Sequence, residues 1–480
     1  MADNWLKDLN PQQLAAVTHR EGPLLIIAGA GTGKTRTLAC RVAWLVQQGV
    51  RPERLLLLTF TRRAAEEMLR RAEVACGRTV GRVWGGTFHA VAVRLLRMHG
   101  RAVGLDPGFT VMDESDSADL LGLIRTRLGY GDREKRFPRK ATIRSIYSRV
   151  VDSRLRLADV LRREYPWCVP AADGLARIFA EYSRRKQERA VLDFDDLLLF
   201  WNELLGRPEA QPLVEDRFDH VLVDEYQDTN VIQAEILQRL RQRNRNLTVV
   251  GDDAQSIYSF RAATIRNILE FPQQFPGATV VALEQNYRSV QPILDLGNAI
   301  MQEARFRYTK QLYSTRASDQ RPVLLTCRDE HEQAGLVCDR ILEHREQGIP
   351  LREQAVLFRT GYHSDMLEIE LTRRDIPFRK YGGLRFLEAA HVKDVMAILR
   401  IAENPRDEVS WFRVLEMLSG IGPRTAERFL GELAGREFNL RRIADIEMPA
   451  AARNEFDRLC ALLGELTRPS APPLPGQLEL

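Results

Sequence analysis

A glycine-rich turn between an apolar segment and a helical pattern constrains this chain more than any other feature. The residues run Leu24-Leu25-Ile26-Ile27-Ala28-Gly29-Ala30-Gly31-Thr32-Gly33-Lys34-Thr35. Glycines in such a turn let backbone N–H groups face an anion, the lysine reaches the β- and γ-phosphates, and the threonine hydroxyl is placed to hold Mg²⁺. The sequence departs from the generic pattern at Ala28, where a glycine is usual. We therefore expect a nucleoside triphosphate to bind at this turn.

The rest of the chain is typical of a large protein with packed cores. Its 480 residues correspond to about three domains, and 44% of them are hydrophobic. The apolar runs are too short to span a membrane, and the N-terminus carries no apolar signal segment. We therefore expect a cytoplasmic protein without membrane contact. Six scattered cysteines without a C-x-x-C pair indicate neither zinc nor a disulfide framework. The net charge of +5 is too small to indicate nucleic-acid binding by itself.

Apolar strand patterns alternate with helical patterns over most of the chain, which predicts an α/β fold with a parallel sheet. After the strand that precedes the glycine-rich turn, four more are expected at Leu55–Thr59, His220–Asp224, Leu247–Gly251 and Thr279–Leu283. Residues between about 90 and 213 instead predict a helical insertion. A second α/β unit is indicated by strand patterns at Pro322–Thr326, Ala355–Phe358 and Ile376–Arg379, and the pattern is helical again from about Tyr381.

A second chemical motif lies where an apolar strand ends in acidic residues. The segment is Val221-Leu222-Val223-Asp224-Glu225-Tyr226-Gln227-Asp228. A carboxylate at this position can hold Mg²⁺ across from Thr35, while its neighbour accepts the proton of an attacking water. We assign Asp224 to the metal and Glu225 to the water. Acids at a strand end can also be helix caps, and for Asp228 that alternative is equally favoured.

Together with these two motifs, several others resemble the superfamily 1 DNA helicases of the UvrD/Rep/PcrA type. The resemblance runs through nearly all of the chain and implies RecA-like motor domains of the P-loop NTPase class. The other motifs are Leu9-Asn10-Pro11-Gln12-Gln13, Thr59-Phe60-Thr61, Gly86-Thr87-Phe88-His89, Asp193-Phe194-Asp195-Asp196-Leu197, Gly251-Asp252-Asp253-Ala254-Gln255-Ser256-Ile257-Tyr258-Ser259-Phe260-Arg261, Gln285-Asn286-Tyr287-Arg288-Ser289, Ala355-Val356-Leu357-Phe358-Arg359 and Gly382-Gly383.

The resemblance implies ATP and Mg²⁺ as cofactors and assigns residues to the nucleotide. Gln13 would hydrogen-bond the adenine base, and Tyr287 would stack on it. Gln255 would sense the γ-phosphate, and Arg288 would act as an arginine finger, so that Lys34, Glu225, Gln255 and Arg288 form the catalytic set. The phosphate loop would comprise Ala28, Gly29, Ala30, Gly31, Thr32, Gly33, Lys34, Thr35 and Arg36.

A further set of residues is expected to bind single-stranded DNA. Aromatic side chains stack on bases without regard to sequence, although each aromatic taken alone is more often a core residue. Lone histidines are similarly ambiguous. The resemblance implies that Arg261 couples DNA binding to the nucleotide. The expected DNA-contacting residues are Phe60, Thr61, Phe88, His89, Tyr258, Phe260, Arg261 and Arg359.

The turn Gly420-Ile421-Gly422-Pro423 resembles a helix–hairpin–helix turn and is expected to contact the duplex DNA backbone. Gly420 and Gly422 let N–H groups face a phosphate, and Arg424 opens the following helix with a positive charge. The alternative is an ordinary turn between helices, because a Gly-x-Gly turn is weak evidence alone.

These assignments predict an ATP-dependent helicase that acts in DNA repair or replication. The first motor domain would comprise residues 1–89 and 214–280, with the insertion at 90–213. The second, incomplete motor domain would comprise residues 281–380, followed by its partial helical insertion at 381–480. The resemblance implies movement from 3′ to 5′ on single-stranded DNA and binding at duplex junctions. We find neither the family's His-x-x-Lys-Gly segment nor its second arginine finger, so the chain is expected to be a fragment or a shortened paralogue. A DNA-binding module, or a subunit completed by a partner, is the alternative.

Overall fold

A six-stranded, fully parallel sheet forms the centre of the computed structural model. The structure describes residues 4–77, 80–130, 137–305, 307–381 and 390–468. The expected strands of the first unit all form, and Trp84–Gly86 adds a short strand that the sequence analysis missed. In chain order the sheet contains β1 (Leu24–Ala28), β2 (Leu55–Leu58) and β3 (Trp84–Gly86); β4 (Thr110–Val111) and β5 (Val191–Leu192) pair separately; β6 (His220–Val223), β7 (Leu247–Gly251) and β8 (Thr279–Leu283) complete it.

The strand order places the ends that carry the motifs next to one another. The order is β3-β2-β6-β7-β1-β8, and every neighbouring pair is parallel. Strands β1, β2, β6 and β7 are buried along their whole length, as expected for a parallel sheet covered by helices on both faces. Parallel strands share one carboxyl edge. The segments that follow β1, β6, β7 and β8 therefore meet at that edge.

Four helices pack against the sheet in the first part of the chain, and all but the one that follows Gly33 begin at a side-chain cap. Thr61 and Thr87 each accept a backbone N–H from the third residue on, which fixes the start of the helix that follows each of them. These helices are α1 (Pro11–Thr18), α2 (Lys34–Gln47), α3 (Arg62–Cys76) and α4 (Phe88–His99). Helix α4 belongs to the core of the sheet domain, so the expected insertion boundary at residue 90 falls inside it.

The helical insertion leaves the sheet domain after α4 and returns at β6. Asp113 and Asp193 cap two of its helices through reciprocal bonds with the third residue on. Its own core includes Leu121, Ile146 and Ile178. The helices are α5 (Glu114–Arg127), α6 (Lys140–Ser153), α7 (Leu157–Glu164), α8 (Ala172–Glu188), α9 (Phe194–Leu204) and α10 (Gln211–Glu215).

The chain then completes the sheet and continues into a segment that stays against it. Helices α11 (Val231–Leu240), α12 (Arg266–Leu269), α13 (Phe271–Gln274) and α14 (Gln291–Gln302) follow. By its contacts the chain divides into one unit of residues 1–320 with 397–480 and another of residues 321–396. Residues 281–320 thus group with the sheet domain, although the sequence predicts a second domain from residue 281. The reason is that β8 pairs with β1.

Within the second unit, the three expected strands do not form. Helices α15 (Glu330–Glu346) and α16 (Asp365–Arg373) pack together through Cys338 and Leu371, but no residue described between 321 and 381 is in a strand. The strand patterns at Pro322–Thr326, Ala355–Phe358 and Ile376–Arg379 were therefore wrong as strand predictions. A strand requires hydrogen-bonded neighbours, and these segments are paired in neither sheet of the described residues.

The remaining helices form a separate core and pack onto the helical insertion. They are α17 (Ala390–Glu403), α18 (Glu408–Glu416), α19 (Pro423–Gly435) and α20 (Arg453–Leu466). The buried Glu408 carboxylate lies within 4.0 Å of the guanidinium groups of Arg127, Arg185 and Arg189 from the insertion. Among the described helices, none combines the length and apolar character of a membrane span. The α/β fold with helical insertions is as the sequence predicts.

A carboxylate of the insertion lies against the strand-end motif of the sheet domain. Asn230 donates from Nδ2 to Asp152 Oδ1 at 2.7 Å, and the same asparagine caps α11. Burial, and then the nearby Asp195, raise the pKa of Asp152 to about 8, while Arg144 and Arg149 oppose the shift. A carboxyl with a raised pKa binds its proton more tightly in the folded state. Its contribution to stability therefore falls as pH rises from about 4 to about 8.

We expect Asp152→Asn to remove this pH dependence, because the amide cannot ionise yet keeps an oxygen for Asn230. The melting temperatures of variant and wild type should nearly coincide at pH 5. By pH 8.5 the variant should have the higher melting temperature. Thermal unfolding across this pH range measures the difference. Asp319→Asn, at an exposed carboxylate, is the matched control and should show no such divergence. A constant offset at every pH would contradict the assignment.

Candidate functional site

The glycine-rich turn forms a cradle at the carboxyl end of β1. Gly31 and Gly33 have φ of 80° and 87°, a left-handed conformation that residues with a Cβ rarely adopt. Thr32 donates from Oγ1 to the Gly29 carbonyl at 2.8 Å, which braces the loop. Gly33 is the N-cap of α2, and Lys34 is its first residue. The cradle therefore ends at a helix N-terminus, where exposed N–H groups favour an anion.

The segment after β8 lies directly on this cradle. Asn286 donates from Nδ2 to the Ala30 carbonyl at 2.5 Å, and the Tyr287 N–H donates to the Gly31 carbonyl at 2.9 Å. A Cβ built on Gly29 would lie 2.6 Å from the side chain of Leu312. One built on Gly31 would lie 2.7 Å from Arg288 Cβ. The loop glycines thus provide room for this segment as well as for an anion.

The two residues assigned to the adenine base, Gln13 and Tyr287, both lie next to the phosphate loop. Gln13 donates from Nε2 to the Thr32 carbonyl at 3.0 Å, and it forms a capping box with Asn10. Asn10 in turn donates from Nδ2 to the Tyr287 hydroxyl at 2.9 Å. Tyr287 remains 46% exposed. The structure therefore brings Gln13 and Tyr287 together beside the phosphate loop. Arg36, which follows Thr35, and Arg288, which follows Tyr287, are both exposed.

The acid assigned to the metal is buried and incompletely bonded. Asp224 is 7% exposed, and its Oδ1 has no hydrogen-bond partner among the described residues. Burial, and then the charge of Glu225, raise the pKa of Asp224 to about 7. An orphaned carboxylate oxygen in this setting fits a bound cation. No cluster of three or more ligating His, Cys, Asp or Glu residues was found in the described parts of the chain. Mg²⁺ does not require one, because water and phosphate oxygens complete its shell.

Glu225 is held in an unusual backbone conformation by two partners. Its φ of 49° and ψ of 48° lie in the left-handed region, which a non-glycine residue adopts only under constraint. Glu225 Oε2 accepts from Lys34 Nζ and from Gln227 Nε2, both at 2.9 Å. Lys34, which is assigned to the phosphates, and Glu225, which is assigned to the attacking water, therefore pair with each other in this structure. An incoming triphosphate would compete with Glu225 for the lysine.

The end of β7 adds a polar cluster that the sequence analysis did not foresee. Asp252 accepts from Gln255 Nε2 at 2.6 Å, and its backbone N–H donates to Gln227 Oε1 at 2.9 Å. Lys310, from the segment after α14, donates to both Asp252 and Asp253. The sequence signals were the paired acids after a buried strand and one of the few lysines of the chain. Neither signal connects Lys310 to Asp252.

Three aromatic residues assigned to DNA form a continuous surface. The Tyr258 ring centroid lies 4.9 Å from that of Phe60 and 5.7 Å from that of Phe260. Phe260 is 70% exposed and Phe60 is 41% exposed. Thr61 is exposed beside Phe60 and caps α3. Exposed aromatic rings are of the kind that can stack on bases. The side chain of Arg261 lies outside the described part of the structure.

Two neighbouring residues do not match their expected DNA-binding role. Phe88 is only 6% exposed, because its ring packs in the core 6.0 Å from that of Trp201. The prediction that Phe88 stacks on bases is thus contradicted by its burial. His89 packs edge-on against Phe194, with ring centroids 5.5 Å apart, and burial lowers its pKa to about 4. A neutral His89 offers no positive charge to a phosphate at neutral pH.

The remaining expected DNA contacts lie on separate parts of the chain. Arg359 is exposed on the unit of residues 321–396. Gly420 has φ of 78°, in the left-handed region that favours glycine, whereas Gly422 is the N-cap of α19 with an extended backbone that any residue can adopt. Arg424 is exposed in the first turn of α19. The Gly382-Gly383 motif lies outside the described residues.

Comparisons with known proteins agree with the geometry. The model of the UvrD/REP helicase N-terminal domain matches residues 9–276, and that of the UvrD-like helicase C-terminal domain matches residues 281–463. The ATP-dependent DNA helicase PcrA of Leuconostoc citreum is 37% identical over 89% of this chain. The ATP-dependent DNA helicase UvrD1 of Mycobacterium bovis is 38% identical over 88% of it.

The chain covers 57% of the length of the PcrA protein and 56% of that of UvrD1, so it spans little more than half of these relatives. Both family models nonetheless match in sequence order and cover most of the chain. The phosphate cradle, the acidic strand end and the exposed aromatic rings lie on the first matched region and the segment after it. The chain belongs to the UvrD/REP helicase family.

Proposed function

We propose that this chain is the ATP-hydrolysing, single-strand-binding part of a DNA helicase that unwinds duplexes in DNA repair or replication, moving from 3′ to 5′. The observation that carries the proposal is the shared carboxyl edge of β1, β6 and β7. The phosphate cradle, the paired acids and the aromatic surface all follow strands that end there. Hydrolysis and DNA contact would thus be coupled through one rigid sheet.

In this proposal each residue of the edge has a defined task. Thr35 and Asp224 would hold Mg²⁺, which neutralises charge on the phosphates. Lys34 leaves Glu225 to contact the β- and γ-phosphates, and the released Glu225 then accepts a proton from water. Gln255 faces the γ-phosphate, while Arg288 stabilises charge on the transferred group. The pairing of Lys34 with Glu225 at 2.9 Å supports this exchange, because each partner restrains the other until a triphosphate arrives.

The DNA path would run over Phe60, Tyr258 and Phe260. Stacking on these rings does not depend on base identity, which suits a protein that moves along any sequence. Duplex junctions would be held by the turn at Gly420 and Gly422 and by Arg424, through contacts to the phosphate backbone. The cell compartment would be the cytoplasm, and partner proteins would come from repair or replication.

One observation favours a second function. The segments of residues 322–326, 355–358 and 376–379 belong to neither sheet of the described structure. A motor domain with an incomplete sheet would transmit closure poorly. The alternative is therefore a nucleotide-dependent DNA-binding module or a subunit completed by a partner, which would hydrolyse ATP without unwinding alone.

ATP turnover of the purified chain tests the proposal, with and without single-stranded DNA. We expect DNA to stimulate turnover, and Lys34→Ala to abolish it, since the backbone cradle replaces the lysine charge only in part. DNA affinity without nucleotide should be unchanged in the variant. A strand-displacement assay on a 3′-tailed duplex then separates the two functions. Stimulated turnover without displacement favours the module, and wild-type turnover in Lys34→Ala rejects the phosphate-loop assignment.

We expect Glu225→Gln to bind ATP and Mg²⁺ but to hydrolyse ATP slower by about 10²–10⁴, as for loss of a general base. The amide also releases Lys34 from its ion pair, so nucleotide affinity should not fall. Single-turnover hydrolysis and binding of a fluorescent ATP analogue measure the two effects. Glu209→Gln, at an exposed acid, is the matched control. Loss of nucleotide binding with normal hydrolysis at saturation would show that the role is wrong.

Phe260→Ala should weaken single-strand binding by about 1–3 kcal/mol with little dependence on base sequence. The ring is 70% exposed, so the melting temperature should change little. Fluorescence anisotropy with oligonucleotides of different composition measures the loss. Trp167→Ala is the control, because that ring is equally exposed but lies on the helical insertion. Unchanged affinity with a lower melting temperature would make Phe260 a structural residue.

A further inference from the structure

A buried lysine bridges two consecutive aspartates at the end of β7. Lys310 Nζ lies 2.5 Å from Asp252 Oδ1 and also pairs with Asp253. The side chains of Lys310, Asp252 and Asp253 are 6%, 2% and 0% exposed. Two buried carboxylates side by side repel each other, and the ammonium offsets that repulsion. The cluster is thus held by one counter-ion that comes from a different part of the chain.

Asp252 is the point at which this cluster meets the candidate catalytic residues. Its Oδ2 accepts from Gln255 Nε2 at 2.6 Å, while Lys310 and the Ala254 N–H occupy Oδ1. The Asp252 N–H donates to Gln227 Oε1, and Gln227 Nε2 donates to Glu225. Asp252 therefore contacts Gln255 through its carboxylate, and it is connected to Glu225 through its backbone N–H and the Gln227 side chain. Its rotation is set by the oxygen that Lys310 holds.

Lys310 also belongs to the segment that carries Tyr287 and Arg288 onto the phosphate cradle. The Tyr308 N–H donates to Asp253 Oδ2 at 2.9 Å, so this segment is fixed to the acids at two points. Leu312, two residues after Lys310, lies against Gly29 of the loop. Contacts at the cradle and contacts at β7 are consequently made by one continuous stretch of backbone.

We propose that Lys310 is a positioning residue for ATP hydrolysis, which acts by fixing Asp252 so that Gln255 is held at the γ-phosphate. The inference rests on the proposed ATP hydrolysis at this site. Without the ammonium, Asp252 turns away from Asp253, and the Gln255 amide loses its partner. Nucleotide binding depends on the loop and the base contacts, and it is therefore retained. The lysine consequently affects the rate of hydrolysis and leaves ATP affinity unchanged.

Steady-state ATP turnover with saturating single-stranded DNA tests this role. Lys310→Ala should lower kcat by about 10²-fold, the order expected when a catalytic group is displaced by about an ångström. KM for ATP and the affinity for a fluorescent ATP analogue should stay within about threefold of wild type. Lys310→Arg, which keeps a donor with a positive charge, should recover most of the rate. Lys7→Ala, at an exposed lysine, is the control and should be unchanged.

A double variant distinguishes positioning from general loss of structure. If Lys310 acts through Gln255, Lys310→Ala combined with Gln255→Ala should be no slower than Gln255→Ala alone. Multiplying losses, an equal rise in KM, or no recovery with arginine would overturn the inference. If Lys310→Ala does not fold, Lys310→Met keeps most of the side-chain volume without the charge and leaves both carboxylates in place, and a wild-type kcat in that folded variant overturns it. An inactive wild type rejects the proposed function with it, whereas an active wild type matched by Lys310→Ala rejects only this role.

Discussion

The parallel pairing of β1 between β7 and β8 is the constraint on which the rest of the structure depends. It places the phosphate loop beside the acids of β7 on one side and beside the segment after β8 on the other. Local preferences alone do not order the loop, since its glycines lose much conformational freedom on folding. The surrounding sheet supplies that order, with all residues of β1 buried. A packed core thereby fixes a backbone conformation that local preferences alone would not maintain.

Charge is distributed at this edge so that each ionic group restrains a neighbour. Lys34 pairs with Glu225, and Lys310 pairs with Asp252 and Asp253. Gln227 lies between the two pairs and touches both sides. Breaking one buried pair leaves an uncompensated charge, which is costly in a poorly solvated site. The network therefore favours concerted rearrangement, in which a ligand replaces one partner as the other is released.

Sequence patterns predicted the features that depend on neighbouring residues. The glycine-rich turn, the strand ends and most of the first sheet follow from local periodicity, and the helicase resemblance followed from the motifs. Tertiary contacts could not be read in this way. Asn286 and Ala30 are 256 positions apart, and nothing local links Lys310 to Asp252. Phe88 was misassigned because burial depends on Trp201, far along the chain. The strand patterns after residue 321 failed because strands also need partners.

Those unpaired segments have a consequence for how the chain behaves in solution. Leu324 and Leu357 are 92% and 93% exposed, and both are flanked by apolar residues. Exposed apolar segments that are not paired in a sheet can pair with a further strand. The same surface can be covered by additional polypeptide from a longer chain or by another copy of this one. In concentrated samples of this chain alone, self-association through these segments would compete with binding of such additional polypeptide. It would also mask a well-formed nucleotide site.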